Sequence, residues 1–296
     1  MSVAPAPGTL RLQRSVFERR ALRNWLLTAA TWAAAIVAGV PLVSVLYMLV
    51  VRGGTRLTWE ALSTLPPAGF ELGGGFGNAI AGTIVMVGLG GLLSIPVGVL
   101  AAVYVAELGP GSRLARVARF ATKTLTGMPS ILAGVFAYSV VVLLTGTYSA
   151  PAGGLALAVL MVPTVVLTAE EAIKAVPKIT RDAAYGMGCT RSQVIWKVLL
   201  PTALPGILTG VMLAVARAAG ETAPLLFTAL FSSYWLVEGG VPRLMQPTAS
   251  LAVLIYNFSG MPFDNQIELA WAASLVLVLI VLVINVTARL VGRRRI

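Results

Sequence analysis

The chain has 296 residues, of which 57% are apolar and 11% charged, with a formal net charge of +11. So low a charge content excludes a freely soluble domain, in which about a quarter of residues are charged, and makes lipid the surrounding medium. A single cysteine and the absence of histidine exclude an intrachain disulfide and any histidine-based metal site or general base.

Trp25–Val51 is uncharged and long enough to cross a bilayer, so it is the first predicted membrane helix, with Pro41 a candidate kink. Residues 1–24 then form a basic tail. No small-residue cleavage site follows the apolar run, so that run reads as an uncleaved helix rather than a signal peptide. From Arg52 to Gly77 the chain is polar and rich in Gly and Pro, and Asn78 is placed to cap the second helix, Ile80–Ala106. Leu125–Leu144 is the third and Leu155–Ala169 a short fourth. Ile207–Leu230 is the fifth and contains Arg217, Glu221 and Pro224. Ser232–Ile267 is an outer segment whose apolar piece Leu251–Tyr256 is too short to cross. Leu269–Leu290 is the sixth. The fold class is all-α, a polytopic bundle of six transmembrane helices over residues 25–296.

Of the 22 basic residues, all but Arg52, Arg56, Arg217 and Arg243 fall in four clusters, at 11–23, 113–123, 174–197 and 289–295. These clusters occupy alternate loops, the pattern of the positive-inside rule, which puts both termini in the cytoplasm. The charge therefore calls for membrane lipids and no nucleic acid.

Residues 171–205, on the predicted cytoplasmic side, carry more pattern than a connector needs. Pro177 suits a first helical turn, Gly186 and Gly188 break the run, and Thr190 with Gln193 has capping-box spacing. Val194, Ile195, Val198 and Leu199 make one apolar stripe, and Pro201 is expected to stop the helix. By itself such a stripe reads first as a helix lying among lipid headgroups.

An arginine inside a membrane helix costs roughly 2.5–3.5 kcal/mol on insertion scales, so Arg217 must face protein or a wet cavity. Glu221 is one turn on, within ion-pair reach. A guanidinium fork suits a tetrahedral oxyanion, and the carboxylate would keep binding weak enough for release. A mutual ion pair pinning the helix to its neighbours is the competing account. Gly206 and Gly210 have the small-xxx-small spacing of close helix packing. No G-x-x-x-x-G-K-[ST] occurs, so this chain has no P-loop for ATP.

Asp182, Ala183, Ala184, Gly188, Val198, Leu200 and Pro201 resemble the EAA loop of ABC importer permeases, E-A-A-x3-G-x9-I-x-L-P, with Asp for Glu and Val for Ile. Ala216–Thr222 resembles the R-A-x-G-E-T stretch of phosphate importer permeases of the PstA type. Gly77–Thr83 is similar to the start of that family's second helix, and Pro129–Gly134 to the P-S-I-x-x-G of its third.

The resemblance implies a MetI-like type I ABC importer permease in the bacterial inner membrane. Its loop, through Asp182, Ala183, Ala184, Gly188, Arg191 and Pro201, would couple to an ATPase, and Arg217, Glu221, Thr222, Asn78, Thr83 and Ser130 would line the substrate pathway. Implied partners are a PstC-type permease completing a heterodimeric pore, a PstB-type ATPase dimer and a PstS-type phosphate-binding protein. ATP and Mg2+ would bind the ATPase, and this chain would hold no cofactor and be no enzyme. A permease for molybdate, tungstate or sulfate, an ATP-independent anion transporter, and an added role in phosphate signalling stay open at this point.

Overall fold

The computed structural model describes residues 19–293. Among the described residues it is mostly helical, with one short hairpin, and it divides into two units, residues 1–48 and 49–296. In the first, the described residues belong to helix α1 (Arg19–Thr55), which overruns Trp25–Val51 at both ends and continues through Pro41. An apolar medium offers the freed carbonyl no water, which favours keeping the helix whole around it. Residues 1–18 of the basic tail lie outside the described residues.

In the second unit, α2 (Trp59–Ser63) is capped by Thr58, whose hydroxyl accepts from the Ala61 amide at 3.2 Å. Helix α3 (Gly77–Val103) runs on through a π-helical turn, Tyr104–Leu108. The expected cap is corrected: Asn78 is the second residue of α3 and its side chain turns elsewhere. A separate amphipathic helix, α4 (Arg113–Thr126), follows, capped by Ser112. Then come α5 (Ser130–Ala137), a π turn at Tyr138–Val142 and α6 (Leu143–Thr145), in a run bent 108° from α4. The third span thus begins at Ser130 rather than Leu125. Gly127 caps α4, and Pro129, with no amide hydrogen, can start a helix but not continue one.

Helix α7 (Ala150–Lys174) is far longer than Leu155–Ala169. Ser149 caps it, Pro151 sits in the first turn where its missing donor costs nothing, and Glu170 is absorbed by Arg119 and Lys174. Leu157, Met161, Val165, Ala169 and Ile173, an i+4 row, are all buried at 1% exposure or less and anchor the larger core.

Helix α8 (Lys178–Gly186) leads to α9 (Arg191–Gln193), a π turn at Val194–Leu199 and α10 (Leu200–Ala219), continuous from Arg191 to Ala219. Pro201 therefore does not stop the helix. The wide π turn just before it relieves the clash a proline ring makes with the carbonyl four residues back. Gly210 packs on Thr168 and Gly206 on Ala172, the close approach their spacing calls for.

The fifth span likewise does not reach Leu230. It ends at Ala219 with Gly220 as cap, and α11 (Ala223–Leu226) restarts with Pro224 in its first turn. A hairpin of β1 (Val237–Glu238) and β2 (Val241–Pro242) turns at Gly239 and Gly240, both at positive φ. Helix α12 (Leu251–Ser259) is the short apolar piece, with Leu251, Val253 and Leu254 wholly buried. Helix α13 (Asp264–Arg293) extends beyond Leu269–Leu290 at both ends. Among the described residues five helices are long and apolar enough to cross a membrane, and the bent α4 to α6 segment makes a sixth crossing if taken as one span.

Candidate functional site

The three segments that resemble phosphate permeases converge on the stretch where α10 breaks. A Cβ on Gly134 would lie 2.6 Å from the Pro224 Cα, so α5 touches α11 backbone to backbone. A Cβ on Gly82 would overlap the Ala249 carbonyl oxygen. Asn78 donates through Nδ2 to the carbonyls of Ser232 (2.8 Å) and Tyr234 (3.2 Å). Thr83 donates to Ala79 at 2.7 Å and accepts from the Leu251 amide at 2.9 Å, holding the first turn of α12. Asn78 and Thr83 are 2% and 4% exposed, and these bonds staple segment 232–251 to α3.

Arg217 stands in the last turn of α10, not mid-helix, where the carbonyl ends of the helix favour a cation. Its side chain is 45% exposed, and its Nε lies 3.4 Å from Glu221 Oε1. Among the described residues no protein acceptor meets its two terminal amino groups. Glu221 falls just past the break and is largely covered, while Thr222 reaches the Ala252 carbonyl at 3.5 Å. Ser130, half-buried, opens α5. An apolar groove of about 500 Å³ between α3, α10 and α13 is lined by Thr83, Gly88, Val215 and Ala219 among others, and Arg217 is not in its wall. Arg217, Glu221 and Thr222 thus form one group, with Asn78 and Thr83 supporting the backbone behind it.

The second candidate region is the loop from α8 to α10. The helix α8 ends in a Schellman motif: the Cys189 amide donates to Ala184 (3.2 Å) and the Gly188 amide to Tyr185 (2.9 Å), with Gly188 at φ +81°. Thr190 and Gln193 close the capping box in both directions. Val194, Ile195 and Leu199 are buried in one core with Ala184, so the stripe faces protein, not headgroups. Asp182, Ala183, Arg191 and Pro201 are exposed, Ala184 is not. Arg181 pairs with Glu107 and donates to the Ile173 carbonyl at 2.7 Å, and Arg191 donates to the Glu107 carbonyl. Those two arginines tie the loop to the end of the α3 span.

A neighbouring cluster is not evident in the sequence. Arg119 donates to Glu170 (2.8 Å), Pro110 (3.0 Å) and Val105 (2.9 Å), and Lys174 reaches the same Glu170 oxygen. The one signal for it is register: Ala115, Arg119 and Thr122 share a face of α4 that its other basic residues avoid.

Residues 94–296 match the model for the binding-protein-dependent transport system inner membrane component family. The chain is 39% identical over 276 residues to the phosphate transport system permease protein PstA of Haemophilus influenzae, covering 93% of this chain and 95% of that one. Against the same-named protein of Yersinia pestis it is 37% identical over 254 residues, 86% and 84% of the two chains. Among solved structures, a bacterial alginate ABC transporter in complex with alginate-bound periplasmic protein aligns over 95% of this chain and 98% of that one, with TM-score 0.65 and 16% identity. The inward-facing MetNI methionine ABC transporter covers 74% of this chain and 93% of its own, with TM-score 0.57 and 22% identity. At these identities the structures speak for the fold alone.

Proposed function

Since the chain belongs to the family of binding-protein-dependent transport system inner membrane components, we propose that it is the permease subunit of an ATP-driven phosphate importer, forming half of the translocation pore. As a membrane permease it is a multi-pass protein and not itself an enzyme. The observation that carries the anion reading is Arg217: a cation at the end of a membrane helix, just before the helix is interrupted, with both terminal amino groups open. Phosphate offers the tetrahedral oxygens that a guanidinium fork binds in pairs. Glu221, 3.4 Å from Nε, takes part of that charge and keeps the anion from staying. Asn78, Thr83 and Ser130 belong to the pathway in this reading, the first two by fixing the segment that faces it.

The same reading assigns the work to a complex. A related permease, PstC-type, supplies the other half of the pore, a PstB-type ATPase dimer holds ATP and Mg2+, and a PstS-type protein delivers phosphate. Residues 171–205 face the ATPase, with Asp182, Ala183 and Arg191 on the contact surface, Gly188 and Pro201 shaping the backbone and Ala184 packing it inward. Both ends of the chain, including the tail over residues 1–24, are cytoplasmic in a bacterial inner membrane. Because Arg181 and Arg191 grip Glu107, a push on the loop reaches the α3 span directly.

The test is uptake of labelled phosphate by proteoliposomes holding the complete complex, with arsenate, sulfate and molybdate as competitors. ATP-dependent uptake blocked by arsenate alone is the expected result. Blockage by sulfate or molybdate, or uptake without ATP, overturns it.

A further inference from the structure

Helix α4 presents two exposed faces beside the end of the α3 span. A short turn, Gly109–Ser112, joins it to the end of the α3 span, and the run Ser130–Thr145 leaves it at 108°. A helix that starts at the end of one membrane span and stands nearly at right angles to the apolar run after it is placed to lie along the boundary between lipid and water. The helix has three faces. Ala115, Thr122 and the Arg119 guanidinium turn inward, the last held by Glu170 and two carbonyls. Leu114, Val117 and Phe120 form a second face, 60%, 62% and 72% exposed. Arg116 and Lys123 define the third, while Arg113 stands one and two turns before Val117 and Phe120 on the apolar face, and all three are exposed without a protein partner among the described residues.

We propose that α4 is an in-plane membrane helix whose exposed basic face binds anionic phospholipid headgroups while Leu114, Val117 and Phe120 enter the acyl boundary. Apolar side chains of this size on one face, flanked by arginine and lysine on the next, are the pattern of helices that lie in the headgroup layer. The charge is complementary to phosphatidylglycerol and to no neutral lipid. Long basic side chains also let the charges rise to the headgroups while their stems cover apolar surface. Lipid composition would then act on the Arg119–Glu170 cluster on the inward face of the same helix, one turn from Lys123, and through it on the ends of α3 and α7.

The experiment uses the complete transporter in nanodiscs, with Cys189→Ala removing the native thiol and Phe120→Cys carrying a bimane. Phosphatidylglycerol or phosphatidylcholine with a nitroxide on the acyl chain serves as quencher. Both lipids should quench, and phosphatidylglycerol should be enriched at the label by about fivefold or more, the effect of roughly one basic side chain at an anionic surface. The triple substitution Arg113→Gln, Arg116→Gln, Lys123→Gln should abolish that preference. If this variant fails to assemble, raising ionic strength should reduce the preference in the otherwise unaltered protein, since headgroup attraction is screened. Equal quenching by the two lipids overturns the proposal, and so does absence of quenching, which would mean that another subunit covers the face.

Discussion

Replacing Arg119 with methionine strands the Glu170 carboxylate. That residue is 5% exposed, and its partners are Arg119 at 2.8 Å and Lys174. Breaking a buried pair by removing one member costs about 3–5 kcal/mol when nothing else compensates the charge. Lys174 stays in reach of the same oxygen, but its side chain is 52% exposed, so solvent weakens that pairing. The bonds to Val105 and Pro110, which hold the α3 end to α4, are lost as well. Together these set the expected destabilisation at about 3 kcal/mol. Adding Glu170→Gln removes the stranded charge and should recover roughly 1.5 kcal/mol of it. Unfolding of the three variants in mixed micelles, followed by tryptophan fluorescence, measures this as a double-mutant cycle. If Arg119→Met lies within about 0.5 kcal/mol of the parent, or the double variant gains nothing over the single, the cluster does not hold these helices together.

Gly134→Val should displace α11, because even a Cβ there falls 2.6 Å from the Pro224 backbone. We expect a cost of about 1–3 kcal/mol and a loss of transport larger than the loss of assembled complex, measured by uptake per purified complex. Gly188→Ala forces a side chain into a left-handed backbone at φ +81°, which costs about 1 kcal/mol. ATPase stimulation by the complex should fall while the membrane bundle keeps its thermal stability.

The membrane character, the spans and the loop between α7 and α10 are all readable from the residues, because lipid enforces apolar runs and turn chemistry is local. The capping box at Thr190 and the turn at Gly188 form where their spacing puts them. Helix ends were less legible, for reasons specific to each. Pro201 is accommodated by a π turn that no local propensity encodes. The break at Gly220 cannot be told from a bend until Pro224 is seen docked on Gly134. Helix α7 keeps Glu170 because its neutralising partner comes from α4, 51 residues away in sequence. Asn78 has the chemistry of a cap, but carbonyls at Ser232 and Tyr234, distant in sequence, claim it. Long-range pairing decides each of these cases.

The claim on which the functional reading turns is that the open guanidinium of Arg217 meets the transported anion. Labelled phosphate uptake by the reconstituted complex, compared between the parent and Arg217→Gln with ATP hydrolysis measured in parallel, addresses it most directly. The account predicts that uptake falls at least about tenfold, the effect of losing roughly 1.4 kcal/mol from a charge-assisted contact, while the complex still assembles and hydrolyses ATP. Undiminished uptake by a fully assembled Arg217→Gln complex would contradict it.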